Sequence, residues 1–97
     1  MPIPTAFVVF REVVQRHVKD LEVTTPERYS TTWFFLRYLK RVHKFAHGHD
    51  TPRAAGSAMR GLVRFYVDSV AEDSDLAWRF EEVLDAHRGA LRDDYPR

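Results

Sequence analysis

Residues 26–47, PERYSTTWFFLRYLKRVHKFAH, decide the fold class: no other stretch joins so regular a helical pattern to so much basic charge and aromatic mass. Projected at about 100° per residue, Phe34, Phe35, Tyr38, Leu39, Val42, Phe45 and Ala46 share one arc wide enough to face a core. Trp33, Arg37, Lys40, Arg41 and Lys44 gather on the opposite side. The stretch reads as an amphipathic helix. Its tryptophan stands amid positive charge, where packing against this helix's own core does not explain it.

Punctuation on either side sets the neighbouring elements. In VTTPE, Thr25 can cap a helix and Pro26 suits its first position, so the second helix is expected over residues 26–47, stopped by Gly48. The device recurs in HDTPR, where Asp50 or Thr51 precedes Pro52, and a third helix is expected over residues 52–71. Its apolar arc is Ala55, Ala58, Met59, Leu62, Val63, Phe65, Tyr66 and Val70, leaving a narrow polar strip that includes Arg53, Arg60, Arg64 and Asp68. That width predicts the most enclosed helix of the domain. Gly56 and Gly61 interrupt it, each at up to about 1 kcal/mol relative to alanine, and predict close passage of another helix.

Upstream, an extended lead-in at Pro2 and Pro4 precedes a helix over residues 5–22, striped by Phe7, Phe10, Val14, Val18 and Leu21. His17 falls in the stripe and reads as a packed core histidine with one satisfied nitrogen; Val8 and Val9 fall outside it. Downstream, AEDSD offers Asp73 or Ser74 as a cap for a helix over residues 75–92, with Leu76, Phe80, Val83, Leu84, His87 and Leu91 on its core face and DDYPR as a frayed tail. Trp78 again lies on the wrong side, among Glu81, Glu82 and Asp85. Four amphipathic segments with short connections predict an all-α chain, a single-domain four-helix bundle over residues 1–97 with mainly antiparallel neighbours.

The 97 residues, 44% apolar and 13% aromatic, suffice for one core and argue against intrinsic disorder. The chain has no cysteine, which removes disulfides, thiolate metal sites and thiol nucleophiles and suits a reducing cytoplasm. No run approaches the roughly 18 to 20 apolar residues of a membrane span, and the N-terminus lacks a basic leader. A soluble cytoplasmic protein with no membrane partner is expected. Net charge is only +1, yet residues 26–50 carry five basic and two acidic side chains while residues 72–97 carry four and eight. A molecule with a positive and a negative side follows if the helices keep separate faces.

His43, His47 and His49 with Asp50 form HxxxHxHD, whose first two histidines lie one helical turn apart and whose four side chains make a candidate ligand set. Histidine near a helix C-terminus is favourable without a metal, so no metal or other cofactor is assigned. No HExxH base, nucleophile turn or Gly-rich phosphate loop occurs; no catalytic residue is assigned and the chain is expected not to be an enzyme. Two function classes remain. One is a protein-interaction module, self-associating or binding another protein, built on Trp33, Arg37, Lys40, Arg41 and Lys44 against Trp78, Glu81, Glu82 and Asp85. The alternative is nucleic-acid binding by Arg37, Lys40, Arg41, Lys44, Arg53, Arg60 and Arg64. TTPERYSTTWFFLRYLKRV followed by AMRGLVRFYVD faintly resembles the helical DNA-gripping domain of tyrosine recombinases, but an intervening helix is missing and the last helix is acidic, so no family is assigned.

Overall fold

A computed structural model describes residues 4–70 and 74–94. It shows an all-α bundle: α1 (Thr5–Val23), α2 (Thr31–Gly48), a 3-10 turn (Pro52–Ala55) running into α3 (Gly56–Ser69), and α4 (Leu76–Asp94). Among the described residues there is no strand, and no helix is long and apolar enough to cross a membrane. Pro2 of the lead-in, Asp73 as a cap and the tail from Tyr95 lie outside the described residues, while the third helix, expected to reach residue 71, ends at Ser69 because Val70 takes extended backbone.

Cross-helix contacts fix direction. Phe10 meets His87 and His17 meets Glu82 and Arg79, so α1 and α4 run antiparallel. Arg11 reaches the end of α2 while Glu22 approaches Lys40, and Phe34 meets Phe65 while Tyr38 lies beside Gly61, giving the same sense to α1 with α2 and α2 with α3. The backbone contacts order the helices α4–α1–α2–α3, and α3 meets α4 through the Tyr66–Phe80 stack, which closes the order into a bundle. Phe7, Phe10, Val14, Val18 and Leu21 are all buried, as their spacing requires, against Phe35, Leu39, Val42 and Ala46 of α2 and Phe80 and Val83 of α4. Each buried valine, leucine or phenylalanine among them contributes about 1.5–3 kcal/mol through removal from water.

Helix α2 starts at Thr31, not Pro26. The Ser30 hydroxyl accepts the Trp33 amide at 3.1 Å, and the preceding segment is a turn in which Thr25 (φ 47°) and Tyr29 (φ 68°) take left-handed backbone. The expected boundary fails because α1 already ends through Thr24 and Thr25, whose amides return to Leu21 and Glu22. With α1 closing there, Thr25 is an exit residue of one helix and does not cap the next. Thr51 accepts the Arg53 amide ahead of Pro52, but the first turn is 3-10 and regular α geometry begins only at Gly56. Ser74 caps α4 through the Leu76 amide at 2.9 Å, and that helix continues through Asp94, beyond the expected end at residue 92.

Helix α3 is not the most enclosed element. Only Ala58, Met59 and Leu62 are buried along its α-helical length, and Val67 is 73% exposed. The 3-10 turn contributes: Pro52 and Ala55 are buried between α2, α3 and α4, so the turn stands between α3 and α4 over part of their length, away from the Tyr66–Phe80 contact. Gly56 admits no close helix either; a methyl group there would meet nothing nearer than its own helix's Arg60 at 3.8 Å.

Candidate functional site

Ser30 and Tyr29 build the surface around Trp33. Capping by Ser30 places Tyr29 just before the helix and Phe34 in its first turns, the spacing at which a residue ahead of the cap packs back on the helix. The left-handed backbone at Tyr29 turns its ring that way: Tyr29 lies 5.1 Å from Trp33 and 6.3 Å from Phe34, and Trp33 and Phe34 meet edge-on at 5.0 Å. The ridge crosses to α3 through Phe34–Phe65 at 6.3 Å and Phe65–Tyr38 at 5.0 Å. Arginines cover the rings, Arg37 over Trp33 at 4.8 Å and Arg28 over Tyr29 at 5.0 Å, distances of cation–π attraction. Trp33 is half-buried, Phe34 is 38% exposed and Tyr29 63% exposed. Phe34, expected in the core arc, is thus a surface residue, whereas Leu36, outside that arc, is buried.

The remaining basic residues lie along the same helix. Lys40 is exposed and 3.9 Å from Glu22, Arg41 sits over Phe45 at 6.0 Å, and Lys44 is exposed. Arg53, Arg60 and Arg64 are exposed but belong to the α3 side, where Arg60 and Arg64 line a cleft with α4.

The acidic residues of α4 divide by function. Glu81 and Asp85 are exposed, whereas Glu82 is half-buried and engaged by Arg16 and by His17 at 3.1 Å. Trp78 is 47% exposed, with one edge on the His17 ring at 5.0 Å and the Arg79 guanidinium over its face at 4.6 Å. His17 is fully buried and has both nitrogens bonded. Arg79, which can only donate, approaches Nδ1 at 2.9 Å, so Nδ1 accepts and Nε2 donates its proton to Glu82. Burial, then the charges of Arg79 and Arg16, hold this imidazole down at about 4, with Asp20 opposing them. The buried Nε of Arg79 has no protein partner.

His43 and His47 stack with ring centroids 4.2 Å apart, but His49 turns onto Phe45, 6.2 Å away, and Asp50 is exposed. Among the described residues no group of three or more histidines and carboxylates could hold a metal ion. Burial, then the neighbouring His47, lowers the His43 pKa against the pull of Glu22. His87 is buried, donates from Nε2 to the Pro52 carbonyl at 3.1 Å, and is also lowered by burial.

Several contributors escaped the reading of single helices. Tyr29, Arg28 and Phe65 complete the ridge, and Arg79 is the hinge of the His17 network. Arg11 donates to the Ala46 and His49 carbonyls at 2.8 and 2.6 Å, satisfying the end of α2. The motif YSTTWF held the signal for Tyr29, as a cap flanked by two aromatics at staple spacing. The chain matches no protein-family model, no curated protein and no solved structure, so its function has to be read from this geometry.

Proposed function

We propose that the protein is a non-enzymatic interaction module that associates with a second copy of itself, joining the basic aromatic ridge of α2 to the acidic Trp78 face of α4. One observation carries this reading. Trp33 is held between Tyr29, Phe34 and Arg37 without being buried, so an ordered, partly hydrophobic ring and its arginine are presented to solvent. Tryptophan, tyrosine and arginine are the residues that carry most binding energy at interfaces. Ordering them in the free protein lowers the entropy lost on contact. Trp78, Glu81 and Asp85 supply an exposed surface of opposite charge, while Arg37, Lys40, Arg41 and Lys44 supply the basic rim. A cysteine-free chain suits the reducing cytoplasm that belongs to the same proposal.

A second reading is favoured by a shallow hollow of about 330 Å³ in which Phe34 and Tyr38 alternate with Arg37 and Arg41. Interleaved rings and guanidiniums are what single-stranded nucleic acid stacks on and neutralises. In that reading Lys40, Lys44, Arg53, Arg60 and Arg64 extend the basic surface.

Solution mass at low and high salt, with and without a mixed-sequence single-stranded oligonucleotide, separates the two. Self-association that weakens with salt and ignores the oligonucleotide is the expected result. A monomer at both salt concentrations overturns the first reading; if its mass rises only with the oligonucleotide, the second takes its place.

A further inference from the structure

A cleft lies away from the aromatic ridge, between α3 and α4. The helices are clamped at one end, where Tyr66 and Phe80 stack face to face at 3.9 Å, and are held apart further along by the buried 3-10 turn. A cleft of about 720 Å³ results, within the usual range for small-molecule sites. Met59, Val63 and Val67 of α3 face Leu84 and Leu91 of α4 across it, and Arg60, Arg64 and Arg88 stand along it, with Asp68 as the acidic side chain. All three arginines are exposed, and among the described residues none has an acidic partner.

We propose that this cleft binds a single-chain anionic amphiphile, a long-chain carboxylate whose hydrocarbon lies between α3 and α4 and whose head meets Arg60, Arg64 and Arg88. Two features select this occupant. The apolar walls favour removal of a hydrocarbon chain from water, and the guanidiniums favour a planar carboxylate that can accept two parallel hydrogen bonds. An acidic amphipathic helix shares the charge but not the shape. A helix is roughly 10–12 Å across, broader than a hydrocarbon chain, and would have to lie over the two helices, where Asp68 on the cleft wall opposes its acidic face. The site is independent of the association proposed for Trp33.

The test uses the intact protein and dansylaminoundecanoate, a fluorescent long-chain carboxylate, with hexadecanoate and hexadecanol as competitors below their aggregation limits. Saturable one-to-one binding of the probe is expected. Hexadecanoate should displace it, and hexadecanol at least about tenfold less well. The exposed pair Arg60→Glu and Arg64→Glu together should weaken probe binding by about tenfold or more without changing the melting temperature. Val67→Asp, on the exposed wall, should weaken it too, and Trp33→Ala should leave it unchanged. Absence of saturable binding overturns the proposal. Equal displacement by hexadecanol removes the role of the arginines, and loss of binding in Trp33→Ala moves the ligand to the aromatic ridge; either result also overturns it. So does an acidic amphipathic peptide that displaces the probe where hexadecanoate fails.

Discussion

His17 is neutral in the folded protein because it is buried and receives a hydrogen bond from Arg79. An unfolded imidazole takes its proton near pH 6.5, the folded one near 4. Between those values the unfolded state holds the additional proton, so its population rises with acidity. The stability due to neutral His17 is complete above about pH 6.5 and is lost as pH falls toward 4, a loss on the order of 3 kcal/mol at about 1.4 kcal/mol per pH unit. Urea unfolding across this range should show the decline, and His17→Gln, whose amide can both accept and donate, should flatten most of it. The lowered pKa values of His43 and His87 act in the same direction and leave a residual slope. If the full decline survives in His17→Gln, the proton enters elsewhere. Placement of this residue in the core was legible from its position in the α1 stripe. Its chemistry was not, because Arg79 and Glu82 stand 62 and 65 residues away and no local pattern joins them to it.

At the scale of the element, the α1 stripe and the Ser74 cap of α4 were readable, and the start of α2 was not. A stripe follows from helical geometry alone, and in α1 all five spaced apolar residues are buried. A boundary depends on how the preceding helix ends, and the TTP motif that suits a new start here belongs to the exit of α1. Two substitutions check this. Ser30→Ala should lower stability by about 1 kcal/mol, the usual effect of losing a side-chain cap. Thr25→Asn should raise it or leave it level, since asparagine tolerates left-handed backbone better than a β-branched residue does. Opposite signs in thermal melts would restore the cap to Thr25. Gly61 provides a third check. A methyl group there would sit 3.6 Å from the Tyr38 ring, an ordinary contact. Gly61→Ala should therefore stabilise α3 by up to about 1 kcal/mol, and a lower melting temperature would mean that the α2–α3 contact is tighter than this distance. The small buried share of α3 was illegible for a further reason: periodicity shows which residues are apolar, not how many neighbouring helices there are to cover them.

For the whole molecule, the ridge joins α2 to α3 and the cleft joins α3 to α4, so the two occupy different parts of the surface. Trp33→Ala should weaken self-association by about 2 kcal/mol or more while costing the fold less than Phe35→Ala, a fully buried ring whose loss costs about 3–5 kcal/mol. Sedimentation of both variants beside their melting curves makes the comparison, and equal destabilisation would place Trp33 in the core. Lys44→Glu should mainly slow association, because charges at the margin of an interface steer encounter more than they hold the complex. The pairing of α1 with α4 also has a consequence in time. The ribosome releases α1 before α4, so during synthesis Phe10 and His17 wait for His87, Arg79 and Glu82. Until those residues emerge, α1 carries an apolar stripe that α2 alone covers, with an unpaired imidazole at its centre. Completion of the bundle is therefore a late event, and a nascent chain arrested before α4 is the form most open to capture by chaperones.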